Sequence, residues 1–267
     1  MKSLVANIGA GGRMGRAVTQ LLLNHPDLEL VTAISRPGSQ YIGQDAGILA
    51  GRPAAGIMVS DKLDEVIAHA DVVIDFSHPD LAVRAAQESA RQGKPLVCGT
   101  TGLNADQYEE LVTAARKIPL LFAPNMSIGM NLLYKMLEIA ASRLGVDYDV
   151  EISDIHDRHK RDAPSGTALK LGELVAAARN QRFDDVMVKG RSGMDSKRAP
   201  GDIGMTSLRV GETVAEHTVY FANSEERIEL THRSFNRDTF AGGALRAALW
   251  LLDQKAGLYG MSDALDL

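Results

Sequence analysis

Cysteine is nearly absent from this sequence. Cys98 is the only one among 267 residues, which excludes a scaffold held together by disulfides. Mainly apolar stretches such as residues 118–124 fall far short of the roughly 20 residues that a membrane-spanning helix needs. Basic residues are outnumbered, 29 against 34, and the resulting net charge of −5 argues against non-specific binding to nucleic acid.

A secretory signal is also missing, because the first six residues lead into a strand-like segment without the charged and apolar regions of a signal peptide. We therefore expect a cytoplasmic protein. Hydrophobic residues make up 45% of the chain, enough to bury a sizeable core. The length favours one large domain or two modest ones.

The first half of the chain alternates short apolar strands with amphipathic helices. The predicted strands cover residues 4–8, 28–34, 71–76, 95–99 and 118–123. The predicted helices cover residues 13–24, a segment beginning at Pro79, and a segment from the cap Asn104 to about residue 117. This alternation is typical of a parallel sheet covered by helices on both faces.

The pattern changes after residue 126. Helices are predicted at 130–144, 167–179 and 240–255, and Gly145 is the predicted C-terminal cap of the first. A strand is predicted at 146–155. Period-two alternation at 206–210, 213–221 and 227–234 predicts three strands in an antiparallel meander. Residues 190–204 are rich in Gly, Ser, Arg and Pro, which predicts a long loop.

A glycine-rich turn, residues 9–15, separates the first predicted strand from the first helix. Gly9, Gly12 and Gly15 have the spacing of a variant dinucleotide-binding fingerprint, in which the helix N-terminus receives a pyrophosphate. The sequence therefore predicts an α/β protein. It has a Rossmann-like parallel-sheet domain and a mixed α+β domain with an antiparallel or mixed sheet.

The second strand ends without the acidic residue that commonly binds the ribose 2′-hydroxyl. Ser35 and Arg36 stand there instead, and they could receive a 2′-phosphate. This predicts that NADPH, NADH or both serve as the cofactor.

A second segment, residues 154–162, is dense in titratable groups and follows a predicted strand. His156 and Lys160 are candidate proton donors. The adjoining turn at Ser165, Gly166 and Thr167 opens a helix and could bind an anion such as a carboxylate. Zinc is disfavoured and we predict no metal, because no cysteine lies nearby and the interleaved cations would repel a dication.

Four motifs together resemble the 4-hydroxy-tetrahydrodipicolinate reductases, also called dihydrodipicolinate reductases. They are the turn 9–15, Gly-Thr-Thr-Gly at 99–102, Pro-Asn-Met-Ser-Ile-Gly at 124–129 and, most specific, His-Lys-Arg-Asp-Ala-Pro-Ser-Gly-Thr-Ala at 159–168. The resemblance covers essentially the whole chain. It implies a cytoplasmic enzyme of lysine and diaminopimelate biosynthesis with a small dicarboxylate substrate.

The resemblance also implies domains, an assembly and site residues. Residues 1–126, completed by 241–267, would bind the dinucleotide, and residues 127–240 would bind substrate and form a homotetramer. His156 would donate or accept a proton, Lys160 would be the second proton donor, and Gly166 and Thr167 would bind a substrate carboxylate. The implied cofactor contacts are Gly9, Ala10, Gly11, Gly12, Arg13, Met14, Ser35, Arg36, Gly99, Thr100, Thr101, Ala123, Pro124, Asn125 and Met126.

Two residues depart from the family pattern. Ser35 stands where the family often has Glu, which affects cofactor preference. Asp157 stands where the family often has a His that contacts substrate. Arg237, after the last predicted strand, is a further candidate for the substrate pocket.

Two other functions remain open on the sequence. A different two-domain NAD(P)-dependent dehydrogenase is disfavoured by the run Asp-Ala-Pro-Ser-Gly-Thr at 162–167. A non-catalytic NADPH-binding sensor is disfavoured because it has no use for two proton donors, His156 and Lys160.

Overall fold

The computed structural model describes residues 1–267, with the side chain of Val66 left out of the description. The chain divides into two compact units. Unit 1 comprises Met1–Ile128 and Arg237–Leu267, and unit 2 comprises Gly129–Asn236.

Unit 1 is built by strands and helices in alternation. Its elements from the first stretch of chain are β1 Ser3–Ile8, α1 Arg13–Leu22, β2 Leu28–Ile34, α2 Ala46–Leu49, β3 Val59–Ser60, α3 Leu63–Ile67, β4 Val72–Asp75, α4 Pro79–Gln92, β5 Leu96–Cys98, α5 Ala105–Ala115 and β6 Pro119–Phe122.

Unit 2 begins within α6, and its elements are α6 Ile128–Leu144, β7 Asp149–His156, α7 Gly166–Ala178, α8 Phe183–Val186, β8 Met187–Lys189, β9 Ile203–Arg209, β10 Ala215–Ala222 and β11 Arg227–Ser234. The chain then returns to unit 1 through α9 Asp238–Leu251, β12 Gly257–Tyr259 and α10 Met261–Leu265.

The sheet of unit 1 is parallel throughout. Within the described chain its seven strands follow the order β12-β6-β5-β4-β1-β2-β3. Neighbouring residues of one strand face opposite cores: Val5 packs with α1 and α9, whereas Ala6 packs with α4 and α5. Continuous apolar strands are therefore buried on both faces, as the alternation predicted.

Helix caps explain several element boundaries. Pro79 occupies the first position of α4, and Gly93 ends that helix in the left-handed conformation. Asn104 caps α5 and forms a reciprocal capping box with Gln107. Both helix starts were predicted from these residues.

The sheet of unit 2 corrects two predictions. Its order is β11-β10-β7-β9-β8, so β7 lies between β9 and β10, and the three C-terminal strands do not form a meander. β10 pairs antiparallel with β7 and β11, whereas β9 runs parallel to β7. The strand predicted from residue 146 begins only at Asp149, because Gly145–Asp147 forms a 3₁₀ turn.

One face of the unit 2 sheet carries its core. Val150 and Ile152 of β7 pack with Leu171 of α7 and Leu137 of α6. None of the helices in the described chain combines the length and apolar character that a membrane crossing requires.

Candidate active site

The glycine turn of unit 1 lies between β1 and α1, as predicted. Gly9 has φ of +85°, and a Cβ there would lie 2.2 Å from the carbonyl oxygen of Phe76. A Cβ on Gly15 would lie 2.1 Å from the carbonyl oxygen of Gly9. These two glycines therefore let the turn pack closely against the end of β4 and against α1.

The N-terminus of α1 suits an anion. Its cap residue, Gly12, has no side chain to satisfy the first N–H groups, and no acidic residue occupies the first turn. The free N–H groups and the helix dipole both favour negative charge at this point. Among the predicted contacts Gly9 to Met14, the backbone N–H groups of Gly9, Ala10 and Gly12 donate to carbonyls of the protein, so the start of α1 is the part that can receive a pyrophosphate.

Two residues that the sequence analysis missed support this turn. The ring of Tyr41 occupies the space that a Cβ on Gly11 would need, 2.0 Å from its Cδ2. Arg16 lies over that ring, 5.0 Å from its centre, and its Nε donates to the Gly11 carbonyl at 2.9 Å. No sequence motif links Arg16 to the glycine turn, so its contact with Gly11 could not be predicted. Tyr41 lies in a loop, where no periodicity indicates which way a side chain faces.

Ser35 and Arg36 follow β2 at the same sheet edge. Ser35 is buried, and its backbone N–H donates to the carbonyl of Ser60 at 2.9 Å. Arg36 is exposed. This strand end therefore presents a hydroxyl residue and a cation where many dinucleotide sites present a carboxylate.

The loops after β4, β5 and β6 reach the same edge, since the carboxyl ends of parallel strands meet there. Buried Asp75 accepts hydrogen bonds from the hydroxyls of Ser77 at 2.5 Å and Thr100 at 2.6 Å. The Thr100 hydroxyl in turn accepts the Ser77 backbone N–H at 2.8 Å. Thr100 therefore ties two loops together, and its side chain is committed to Asp75.

The remaining predicted cofactor residues differ in exposure. Thr101 and Pro124 are exposed and line an apolar pocket of about 400 Å³, together with Phe122 and Tyr108. Other predicted residues are buried and can offer a ligand only backbone atoms; they are Ala10, Gly11, Gly99, Ala123 and Met126.

In unit 2, one face of β7 changes from apolar to polar along its length. Val150 and Ile152 belong to the core, and the next residues on that face are Asp154 and His156. The register places Ser207 of β9 and His217 of β10 beside Asp154. Period-two alternation within each strand could have indicated this face, but only the register brings the residues together.

Asp154 contacts both histidines. Its Oδ1 lies 2.6 Å from Nδ1 of His156 and 3.5 Å from Nε2 of His217. Its Oδ2 accepts the backbone N–H of Ser165 at 2.9 Å and the hydroxyl of Ser207 at 3.0 Å. The side chain of Asp154 is therefore surrounded by donors.

Electrostatics follow from these contacts. Burial raises the pKa of Asp154, but hydrogen bonds from His156, His217 and the Ser165 backbone outweigh burial and hold it well below its ordinary value. Burial lowers the pKa of His217, against the opposing effect of Asp154. Asp154 is therefore a charged carboxylate, and His217 beside it is neutral.

The segment after β7 places the predicted substrate residues. Lys160 Nζ lies 2.9 Å from the carboxylate of Asp162, and the Lys160 side chain is one quarter exposed. The Lys160 hydrogen bond lowers the pKa of Asp162, although burial opposes this. Asp157 accepts the backbone N–H of His159 at 2.8 Å, so its carboxylate helps to shape this turn.

Ser165 caps α7, its hydroxyl accepting the backbone N–H of Ala168 at 3.2 Å. Gly166 and Thr167 are the first residues of the helix, and its first turn contains no acidic residue. This helix start can receive an anion. Arg237, the cap residue of α9, belongs to unit 1 rather than unit 2.

Asp154, His156 and His217 are residue types that bind metals, and their ligand atoms lie within 4.8 Å of one another. Nη2 of Arg209 lies 3.6 Å from the same carboxylate of Asp154. The positive charge of Arg209 disfavours a metal ion at this position.

Two family models match the chain. Residues 4–126 match the dihydrodipicolinate reductase N-terminus and residues 129–265 the dihydrodipicolinate reductase C-terminus. The 4-hydroxy-tetrahydrodipicolinate reductases of Burkholderia vietnamiensis and Pseudomonas fluorescens are each 46% identical to this chain, over 263 and 264 residues. These alignments cover 98% of this chain and 99% and 98% of the two relatives.

Solved structures show the same architecture. A dipicolinate-bound dihydrodipicolinate reductase from a Paenisporosarcina species has a TM-score of 0.76 and 26% identity, covering 98% of this chain and 99% of that one. An amine dehydrogenase from Mycobacterium smegmatis has a TM-score of 0.62 and 17% identity, covering 97% and 94%, and shares the fold alone.

Proposed function

Because the chain belongs to the dihydrodipicolinate reductase family, as its motifs predicted, we propose that unit 1 binds the cofactor and that His156 and Lys160 of unit 2 handle the proton. The reaction is the NAD(P)H-dependent reduction of 4-hydroxy-tetrahydrodipicolinate to tetrahydrodipicolinate, in lysine and diaminopimelate biosynthesis. One hydride and one proton are added, and the hydroxyl leaves as water.

The observation that carries the proton assignment is the environment of His156. Its ring is buried at the end of β7, and an ionised carboxylate lies 2.6 Å from one ring nitrogen. A histidine held in this way keeps a fixed orientation and can exchange a proton through its other nitrogen. Lys160, four residues later, carries an amino group that can bind a carboxylate as ammonium and can also donate a proton.

Substrate binding is assigned to the start of α7. The backbone N–H groups of Gly166 and Thr167 would hold one carboxylate, and Lys160 would attract the dianion. The Paenisporosarcina relative was solved with dipicolinate bound, which supports a dicarboxylate as the class of ligand. We assign Asp157 and Arg237 to the edge of the substrate site, as the sequence analysis did.

Cofactor binding is assigned to unit 1. The turn 9–14 would hold the pyrophosphate, Ser35 and Arg36 would contact the adenosine ribose, and residues 99–101 and 123–126 would line the nicotinamide end. Gly12 and the uncapped start of α1 support the first assignment, because they leave backbone N–H groups for an anion. When bound, the nicotinamide supplies the hydride.

Residues 1–126 with 241–267 are assigned to dinucleotide binding, and residues 127–240 to substrate binding and to a homotetramer located in the cytoplasm. Exposed apolar side chains on unit 2 support self-association, among them Met136, Ile139 and Val210. Light scattering on the purified protein tests the assembly: a mass of four chains is expected, and a monomer at micromolar concentration would contradict it.

Kinetics of His156→Ala and Lys160→Ala under saturating NADPH test the catalytic assignment. Positioned acid catalysis contributes roughly 10²–10⁴-fold, so His156→Ala should lower kcat within that range and change KM little. Lys160→Ala should lower kcat and raise KM together, because one group serves binding and chemistry. His159→Ala, an exposed histidine of the same segment, is the matched control. If His156→Ala and Lys160→Ala both keep kcat within about threefold of the parent, the catalytic assignment is wrong.

A further inference from the structure

Three polar side chains on neighbouring strands of the unit 2 sheet lie beside the proposed proton donor, and the proposed reaction assigns them no role. Ser207, Asp154 and His217 are cross-strand neighbours in register. Asp154 and His217 are 1% and 2% exposed, respectively. Burying an ionised carboxylate at this depth is unfavourable unless its hydrogen bonds are satisfied, so its retention calls for an explanation.

The first part of the explanation is the contact with His156. Since hydrogen bonding keeps the pKa of Asp154 well below its ordinary value, its Oδ1 is a hydrogen-bond acceptor. An ionised carboxylate 2.6 Å away favours a proton on Nδ1 of His156. That tautomer leaves Nε2 as the ring atom that exchanges a proton with substrate.

The second part is the contact with α7. The other oxygen of Asp154 accepts the backbone N–H of Ser165, the residue immediately before the proposed carboxylate-binding turn. The Ser165 hydroxyl lies 3.0 Å from Nε2 of His217, and the same ring nitrogen lies 3.5 Å from Oδ1 of Asp154. One carboxylate thus contacts both the ring that would move the proton and the helix start that would hold the substrate.

We propose that Asp154 is a positioning residue. It fixes the tautomer and orientation of His156 relative to the start of α7, and His217 holds Ser165 in the same network. This inference rests on the proposed role of His156. Asp154 is 1% exposed, so we assign it no proton exchange with substrate.

Other charged groups around His156 enter the test of this proposal. Arg209 on β9 lies 3.6 Å from Asp154 Oδ2, and His217 on β10 contacts the His156 ring edge to face, with ring centres 5.1 Å apart. Lys160 and Asp162 belong to the loop that follows β7, and they form an ion pair with each other. None of these groups replaces the carboxylate at Nδ1 of His156.

Asp154→Asn tests the proposal, because the amide keeps the shape of the side chain. Its oxygen can still accept the Ser165 N–H, while its NH₂ group then faces Nδ1 of His156 and reverses the tautomer. We expect kcat to fall on the order of 10²-fold, with KM within about threefold of the parent.

Asp154→Glu keeps the carboxylate and should recover most of the kcat that Asp154→Asn loses. Thr218→Val is the matched control, because it removes a buried hydroxyl from the residue next to His217 and should leave kcat and KM unchanged. Recovery by Asp154→Glu but not by Asp154→Asn separates loss of the carboxylate from a general loss of folding.

Measurements in the His156→Ala background separate the two proposals. If Asp154 acts through His156, adding Asp154→Asn to His156→Ala should lower kcat by less than about threefold. Full loss in both backgrounds, or a parent-like kcat in Asp154→Asn alone, would overturn the positioning role. An unimpaired His156→Ala variant would instead overturn the proposed function itself.

Discussion

Replacing Asp75 by asparagine should make unit 1 less sensitive to rising pH. Asp75 is fully buried beneath the loops after β4 and β5, and burial raises its pKa from 3.8 to about 6 against the opposing hydrogen bonds from Ser77, Thr100 and Cys98. The folded state therefore holds its proton more tightly than the unfolded state does. The stability contributed by the protonated form is complete below pH 3.8 and is lost as pH rises through about 6.

The magnitude follows from the shift. A displacement of about two pKa units corresponds to about 3 kcal/mol in total. About 2 kcal/mol of this should be lost between roughly pH 4.5 and 7.5, because part of the titration of the unfolded chain lies below that range. The amide side chain of the Asp75→Asn variant cannot ionise, so the advantage of this variant over the parent should grow by that amount as pH rises.

Trp250 provides the assay, since it is the only tryptophan and lies in α9 of unit 1. Urea unfolding followed by its fluorescence at several pH values gives the free energy of unfolding of parent and Asp75→Asn. Exposed Asp27→Asn, in the same unit, controls for loss of an acid without burial. A difference between parent and Asp75→Asn that stays constant from pH 4.5 to 7.5, within about 0.5 kcal/mol, would refute the reasoning.

Three further predictions concern Arg36, Asp157 and Gly9. Arg36→Ala should raise KM for NADPH by about threefold or more over its effect on NADH, because an exposed cation would contact a 2′-phosphate, and equal effects on both cofactors would contradict this. Asp157→His should retain activity and lower the substrate KM, because it removes a carboxylate near a dianionic ligand; loss of most activity would reveal another role for Asp157. Gly9→Ala should lower the free energy of unfolding of unit 1 by about 2 kcal/mol or more, since the Cβ would meet the Phe76 carbonyl at positive φ, and more than Gly12→Ala does; equal losses in the Trp250 assay would contradict the close-approach argument.

Local signals were enough to predict the five longer strands of unit 1 and the helices between them. Continuous apolar strands, the glycine turn and the caps Pro79 and Asn104 each fix their own element, and the parallel direction follows from the helices between strands. The short elements were missed because two to five residues give no measurable period; they are Ala46–Leu49, Val59–Ser60, Leu63–Ile67, Gly257–Tyr259 and Met261–Leu265. The strand Gly257–Tyr259 is identified only by its pairing with β6.

Unit 2 was predicted less completely, for a physical reason. Alternation shows that a segment is a strand and which residues share a face, but it does not select the partner strand. Placing β7 between β9 and β10 depends on packing of the whole sheet. The contacts of Asp154 with Ser207 and His217, both distant along the chain, depend on that register, so the sequence indicated His156 without its supporting carboxylate.

The central claim is that this chain reduces 4-hydroxy-tetrahydrodipicolinate with a nicotinamide cofactor. A steady-state assay of the purified protein with 4-hydroxy-tetrahydrodipicolinate tests it most directly, using NADPH and NADH in parallel and no substrate as the control. We predict substrate-dependent oxidation of both cofactors, with kcat/KM for NADPH equal to or greater than that for NADH. Binding of cofactor without any substrate-dependent oxidation would contradict the account and favour a sensor.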